Sequence, residues 1–478
     1  MSSFDDIGLA MIPSGYKEGK LYSVLPNSGD GDFDFSRSTT ATRVNSEGLI
    51  EKGRENLLLQ SNAITTSPWS EVRIFSQTQG HTGYDGSNNA WLIIPSSDNA
   101  THIKLQSLSN TTGVTTISVY AKAAGYNYFS IRDDSSGNSY ARFDLSLGVT
   151  SITGSNAITS KIESVGNDWW RCSLTYLETA TGNILFYVNN AYNFADIYAG
   201  DEVSGVYFQD FQTEQGLVAT DVIETTTTAV YEGITDDIPR LDYPIVNGAV
   251  RDCPALLLEP QRTNLVTYSE YFGDSSWTKV NASISSNTTI SPSGATNAST
   301  LVSTSGTSEQ YLDVGSLSIT SGQDYTMSVF VKKNNYDFFL IRFTGVGGAF
   351  SVGNVFFNIN NGTLGTVDSG YTGSIESFGN GWYRCSATKT ASGTTASGKV
   401  RLQLATSDNT ESITGDGSSG TFIYGSQFEQ SSYPTSYIPT FGTSVTRNAE
   451  VCDNAGTSAT FNSTEGVLFA EIAALAND

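Results

Sequence analysis

IESVGNDWWRCS at 162–173 returns as IESFGNGWYRCS at 375–386, and this pair decides how the chain is organised. Working outward, SVYAK at 118–122 meets SVFVK at 328–332, and Ile131-Arg132 meets Ile341-Arg342. Upstream, Arg54, Asn56, Leu57 and Trp69 meet Arg262, Asn264, Leu265 and Trp277. Downstream, Gly200-Asp201, Gly205 and Glu214-Gln215 meet Gly415-Asp416, Gly420 and Glu429-Gln430. The offset grows in small steps from 208 to 215 while the order is kept, as loop insertions produce in a tandem duplication.

A repeat of about 200 residues is too long for a solenoid or propeller unit, so each copy is expected to be a domain with its own core. Within a copy, TTISVYAKA, NYFSIRDD, YARFDLSL, NILFYVN and GVYFQDFQTE are short β-prone runs bounded by Gly, Asn, Asp or Ser. The period of two in SVYAK and SVFVK puts Val119 with Ala121, and Val329 with Val331, on one face. The sequence therefore predicts an all-β protein of two tandem β-sandwiches, with a jelly-roll or related topology. The expected divisions are an arm at 1–33, a first sandwich at 34–232, a linker with the second sandwich at 233–450, and an extension at 451–478. GITDDIPR at 233–240, with Pro239 and a run of acids, reads as an exposed joint. Helical periodicity is confined to SFDDIGLAM at 3–11, where Ser3 and Asp6 form a capping pair, and EIAALAND at 471–478. EGVLFAEI at 465–472 reads as a strand that opens a further β-domain or pairs with another subunit.

Composition narrows the function. Of 478 residues, 25 are Lys or Arg and 48 Asp or Glu, a formal charge of −23 that repels phosphate backbones and anionic lipid. Neither a nucleic acid nor a membrane is an expected partner. The 24 Tyr, 24 Phe and 6 Trp separate the chain from acidic disordered tails. His81 and His102 are the only histidines, which leaves little room for metal or His-based catalysis, and no cofactor is expected. Cys172, Cys253, Cys385 and Cys452 form no CxxC pair and read as buried free thiols. The N-terminus carries two aspartates and no long apolar run, unlike a secretory leader.

Three constellations bear on chemistry. Asp30, Asp32 and Asp34 alternate as in a calcium loop, but Phe35 and Ala41 stand where that loop needs glycine and a bidentate glutamate, so a surface turn is the better reading. No acidic pair stands out as a glycosidase couple, and no nucleophile elbow or phosphate loop is present, so no catalytic residue is assigned. In NDWWRCS, Trp170 shares a face with Cys172, the expected core side, which sends Trp169 and Arg171 outward; GNGWYRCS does the same with Trp382 and Arg384. An outward Trp beside a guanidinium is either a stacking platform for a sugar ring or a structural cation–π pair. Trp69 and Trp277 read as core anchors. The arm is expected to dock on a neighbour through Ile7, Leu9, Met11 and Ile12.

PSGYKEGKLYSVLP, FDFSRSTTATRVNSEGLIE, PRLDY, ALLLEPQRTNLVTYSEYF, IESFGNGWYRCS and FEQSSYPTSYIPTFGTSVTRNAE resemble phrases of bacteriophage fibre and spike proteins. The resemblance spans nearly the whole chain and is stronger in the second copy. In the first copy the closing motif is worn to QTEQGLVATDVIETTTTAVYE, without SYIPT and TR. The resemblance implies carbohydrate-binding-module-like β-sandwiches on a head or tail appendage of a virion, made and assembled in the host cytoplasm. It also implies other virion proteins as partners, host surface polysaccharide as a candidate ligand, and a homo-oligomer, a trimer being favoured. A non-enzymatic host-attachment component is the leading expectation; a purely architectural virion protein and a polysaccharide-degrading tailspike are the alternatives.

Overall fold

The structure, a computed structural model, describes residues 7–108, 112–135, 137–192, 196–458, 460–461, 464 and 466–473. Each repeat copy is a sandwich of two six-stranded antiparallel sheets. In the first copy one sheet runs Ala157–Gly166, Trp169–Glu178, Gly113–Ala124, Gly205–Gln215, Ala90–Pro95, Ile74–His81. The facing sheet runs Val149–Thr153, Tyr140–Asp144, Tyr128–Asp133, Asn183–Asn189, Ile103–Ser107, Ser70–Val72. The inner four strands of each sheet follow the double Greek-key order of a jelly roll. The second copy repeats both orders, from Thr372–Gly379 and Trp382–Thr390 through Asp324–Lys332 to Ala282–Thr289, and from Thr363–Val367 to Trp277–Val280.

Alternation builds both cores. In the first copy Ile117, Val119, Ala121, Cys172 and Leu174 point inward from neighbouring strands and are fully buried. In the second, Met327, Val329, Val331, Cys385 and Ala387 repeat the arrangement. Trp69 and Trp277 are the expected anchors, 7 % and 1 % exposed, and their indole N–H groups donate to the carbonyls of Gln60 and Tyr268, both at 2.9 Å. In each copy a β-bulge breaks the register opposite the SVYAK or SVFVK strand. It puts Asp210 (φ +56°) and Gly425 (φ +57°) in the left-handed region.

The chain divides into two compact units, and not where the repeat begins. One unit is Arg54–Glu232; the other joins Met1–Gly53 to Gly233–Asp478. The first sandwich thus starts at 54 rather than 34, because residues 34–53 are bound to the chain beyond residue 232. Arg37 N donates to Asp237 Oδ1 and Val44 N to Asp242 Oδ1, each at 2.7 Å. GITDDIPR is accordingly no exposed joint: Ile234 is 1 % and Arg240 0 % exposed. The arm at 7–33 is not separate either. Tyr16–Lys17, Lys20–Leu21 and Phe33–Ser36 form a four-stranded sheet with Val451–Asp453, so the start of the extension completes this sheet.

Residues 466–472 form no strand, and Glu465 lies outside the described residues. Ser3 and Asp6 also lie outside them, and neither 7–11 nor 471–473 is helical. All four cysteines are free; Cys172 and Cys385 are buried as expected, whereas Cys253 is exposed in an irregular stretch and Cys452 half-buried in a short edge strand. Asp32 accepts from Ser23 N and Asp34 from Lys20 Nζ, which uses two of the three alternating aspartates within the turn.

Candidate functional site

The phrases that carry the resemblance converge on one buried clasp. Arg37 of FDFSRS, Arg240 of PRLDY, Glu259 of LLLEP, and Arg447 and Glu450 of TRNAE meet with side chains 0–1 % exposed. Arg37 Nη1 lies 3.1 Å from Glu450, and Arg240 pairs with both Glu450 and, at 2.8 Å, Glu259. Arg447 Nη1 reaches Glu259 at 2.8 Å and Ser436 Oγ at 2.7 Å. Burial alone would raise the Glu259 carboxyl, but Arg447, Arg240 and the Ser436 hydroxyl outweigh it and hold it at about 2. Two carboxylates among three guanidinium groups, closed to solvent, form a structural lock with no room for a ligand.

The outward Trp/Arg faces are covered. The alternation is as expected, with Cys172 and Trp170 on the core side and Trp169 and Arg171 on the other. What strand periodicity cannot show is the chain returning across that second face. In the first copy Thr220, Val222 and Ile223 cross it, and Arg171 Nη2 donates to the Thr220 carbonyl. In the second copy Thr435, Tyr437 and Ile438 take the same path. The worn motif keeps the returning strap in place. Thr220 and Thr435 each donate twice to Glu214 or Glu429, while the N–H groups of Ile223 and Ile438 reach Gln212 or Gln427 at 2.7 Å.

Trp382 is 2 % exposed, packed with Ile50, Ala298, Phe330, Tyr424 and Tyr437. Its indole N–H donates to the Ile290 carbonyl at 3.2 Å. Arg384 is half-buried, with its guanidinium 5.4 Å from the Phe330 ring and 3.1 Å from Ser328 Oγ, which is the structural cation–π arrangement. Residues 42–50 lie over this face: Ile50 N donates to the Pro292 carbonyl at 2.9 Å and Thr42 Oγ1 to that of Tyr437 at 2.5 Å. The cavity left beside Arg384, Phe330 and Asp242 is about 60 Å³, enough for water and not for a sugar ring.

The first copy is closed less completely. Trp169 is 2 % and Tyr120 8 % exposed, but the rings continue outward through half-buried Tyr207, 6.4 Å from Trp169, to half-buried His81, 5.0 Å from Tyr207. Lys122 stands beside them, with Nζ 2.8 Å from the Asn167 carbonyl. Arg171 lies 5.4 Å from the Tyr120 ring. Among the described residues of Arg54–Glu232, Tyr84 of the 82–89 loop and Val222 lie against this patch and leave Tyr207 and His81 half-buried. Sequence reasoning named Trp169 and Arg171 but missed Tyr207 and His81. The signal was there: Tyr207 precedes core residue Phe208 in GVYFQDF, and His81 ends a strand instead of lying in a loop.

Of the four expected docking residues, Ile7 and Ile12 are 40 % and 54 % exposed, and Leu9 and Met11 are half-buried. On the second sandwich carboxylates do converge on a shared guanidinium: Arg342 Nη1 reaches Glu309 at 3.2 Å and Glu411 at 2.5 Å. Against the burial that would raise it, Arg342 and Asn354 hold the Glu411 carboxyl below its ordinary range, the wrong direction for a general acid. Among the described residues no group of three or more His, Cys, Asp or Glu could hold a metal ion, and no helix is long and apolar enough to cross a membrane.

No family model matches the chain, and no curated protein matches it. Among solved structures it is similar to the N-terminal CBM22-1–CBM22-2 tandem domain of Paenibacillus barcinonensis Xyn10C, at 12 % identity and a TM-score of 0.24, over 79 % of this chain and 98 % of that one. A second similarity, to oxalate decarboxylase of Bacillus subtilis, has 8 % identity and a TM-score of 0.11 over 74 % of each chain. At such scores the β-sandwich assignment rests on the sheets of this chain itself.

Proposed function

We propose that the chain is a non-enzymatic structural protein of a bacteriophage virion, a head or tail fibre or spike component that presents its first sandwich to host surface polysaccharide. One observation carries the ligand part. Trp169 and Trp382 occupy equivalent strand positions and both have half-buried rings beside them, but around Trp382 these are the apolar Phe378 and Phe422, whereas around Trp169 they are Tyr207 and His81, next to Lys122. Flat rings with cationic and hydroxyl groups at their edge suit the apolar face and hydroxyl rim of a pyranose. The second sandwich, capped by residues 42–50 and tied into the clasp, serves the architecture. Other virion proteins and further copies of the chain, in a trimer, are the proposed partners.

A glycan array on the full chain, followed by retention on a matrix of the best ligand, tests this. Tyr207→Ala is expected to abolish retention of a weak, millimolar ligand with little change in melting temperature, since losing a stacking partner costs about 0.5–1.5 kcal/mol beyond area burial. Trp382→Ala is expected to lower the melting temperature and leave retention intact. A blank array would favour the second reading, a purely architectural virion protein, for which the sealed clasp and the small cavities speak. Release of reducing sugar from host polysaccharide would overturn the non-enzymatic reading.

A further inference from the structure

The patch of the first sandwich already holds a ring, and the chain itself supplies it. Tyr84 lies flat on Tyr120, with centroids 3.6 Å apart and planes 4° from parallel. Its loop, 82–89, is closed by its own bonds: Gly83 N to the Ser87 carbonyl at 2.8 Å, and Ser87 N and Oγ to Asp85 at 3.0 and 2.7 Å. The hydrogen bonds that tie Tyr84 and Asp85 to the body of the sandwich go to two consecutive residues. Gln209 accepts from Tyr84 N at 3.1 Å and donates to Asp85 at 3.2 Å, while Asp210 accepts from the Tyr84 hydroxyl at 2.9 Å. A loop rigid in itself and pinned at one spot is built to move as a body. Gly86, at φ +83° with open space around it, and Gly83, where a Cβ would strike the Gln209 side chain, frame the pinned residues.

Asp210 is an unusual pin. It is 7 % exposed, stands at φ +56° on the bulge, and also takes a bond of 2.5 Å from Asn62. Two further carboxylates face it, Asp85 from the loop and Glu224 from the strap. We propose that Tyr84 is a pH-operated plug: with Asp210 protonated the loop keeps its ring on Tyr120, and with Asp210 ionised the loop lifts and opens Tyr120 to a ligand.

The balance of forces agrees with that direction. Burial first, and then the charges of Asp85 and Glu224, raise the Asp210 carboxyl to about 6 in spite of the bonds from Tyr84 and Asn62. Lifting the loop hydrates Asp210 and moves Asp85 away, so the open form favours the ionised state. By linkage the ratio of closed to open then falls as pH rises through about 6, by up to about a hundredfold if the open state restores the ordinary value of 3.8.

The ligand half of this inference rests on the proposed function; the loop half does not. Hydrogen–deuterium exchange of the full chain at pH 5 and pH 7.5, corrected for intrinsic rates, is expected to show 82–89 losing protection by ten- to a hundredfold at the higher pH. Asp210→Asn keeps a residue that tolerates the left-handed conformation and cannot ionise, and is expected to leave the loop protected at both values. Equal protection at the two pH values in the wild type, or the same loss in Asp210→Asn, would overturn the plug. If the loop opens as stated but retention on the glycan matrix is no stronger at pH 7.5 than at pH 5, the plug stands and the glycan reading of the patch fails.

Discussion

Both sandwiches place a carboxylate beneath a tyrosine hydroxyl at the β-bulge, but they take it from different places, one from the bulged strand and the other from an irregular stretch. In the first, Asn62 is the neutral partner and Asp210, on the bulge, is the acid. In the second, Glu270 stands where Asn62 would be, and the bulge residue is Gly425. Glu270 accepts from Tyr424 at 3.1 Å, Tyr437 at 3.3 Å and Asn297 at 3.2 Å. What the two copies share is a carboxyl group in space, not a residue in a column. The freedom gained by moving it was used differently: Tyr437 of the strap fills the room above Gly425, whereas Tyr84 of a loop sits above Asp210.

Exchanging residues between the copies tests how far each has committed to its solution. The largest effect is expected at the strand that closes each unit. Arg447 pairs in register with Arg262, and its counterpart Glu232 with Arg54. Arg447→Glu would put a third carboxylate beside Glu259 and Glu450 and leave Arg37 and Arg240 in the clasp against three. A cost of about 3–5 kcal/mol, as for breaking a buried pair, should lower the denaturant midpoint of that unit alone. Gly425→Asp is next: a Cβ there would stand 3.0 Å from Phe330 and 3.2 Å from Tyr437, and the new acid would face Glu270. About 1–3 kcal/mol of overpacking cost is expected in thermal unfolding, and an unchanged midpoint would show that the strap moves as easily as the loop does.

Acid sharpens the contrast without any substitution. The raised Asp210 carboxyl gives a stabilising contribution that is complete below 3.8 and is lost as pH rises through about 6. The lowered Glu259 carboxyl gives the opposite, a contribution complete above 4.5 and lost as pH falls through about 2. Between pH 7 and 5 the first unit should therefore gain the Asp210 contribution, and below 4.5 the second should begin to lose that of Glu259. Unfolding of Arg54–Glu232 followed by exchange at each pH distinguishes the two. The smallest effect is expected for Glu232→Arg. It replaces an ion pair of 3.2 Å whose glutamate is 47 % exposed, so a change within about 1 kcal/mol is expected.

The repeat, the strand faces and both Trp anchors were legible in the sequence because each is set by local alternation and by comparing one copy with the other. Cys172 marked the core side of its strand correctly. The burial of Trp169 and Trp382 was not legible, since a strap far along the chain covers a face that periodicity assigns only as non-core. The same holds for Arg240, which composition placed in an exposed joint. A charged residue in a Pro- and Asp-rich stretch looks solvated until its partners from beyond 440 are seen. Tyr207 and His81 were missed because neither stands in a motif, and their neighbourhood is made by three strands.

Residue 53 and residue 233 bound a detour: the chain leaves one compact unit, builds another, and returns. The two units therefore complete on different schedules during synthesis. Arg54–Glu232 has all its strands once residue 232 has emerged, and it can fold while the other unit still lacks everything from Gly233 onward. Arg37, 413 positions ahead of Glu450, must wait for the last of its partners, roughly 20–80 s at about 5–20 residues per second. A guanidinium destined for a sealed interior is thus kept in water until Glu450 has been made, and its capture marks completion of the second unit. Truncated chains lacking residue 450 would carry a finished first sandwich and an unlocked second unit, a difference that any assembly step requiring the locked form would read as quality control.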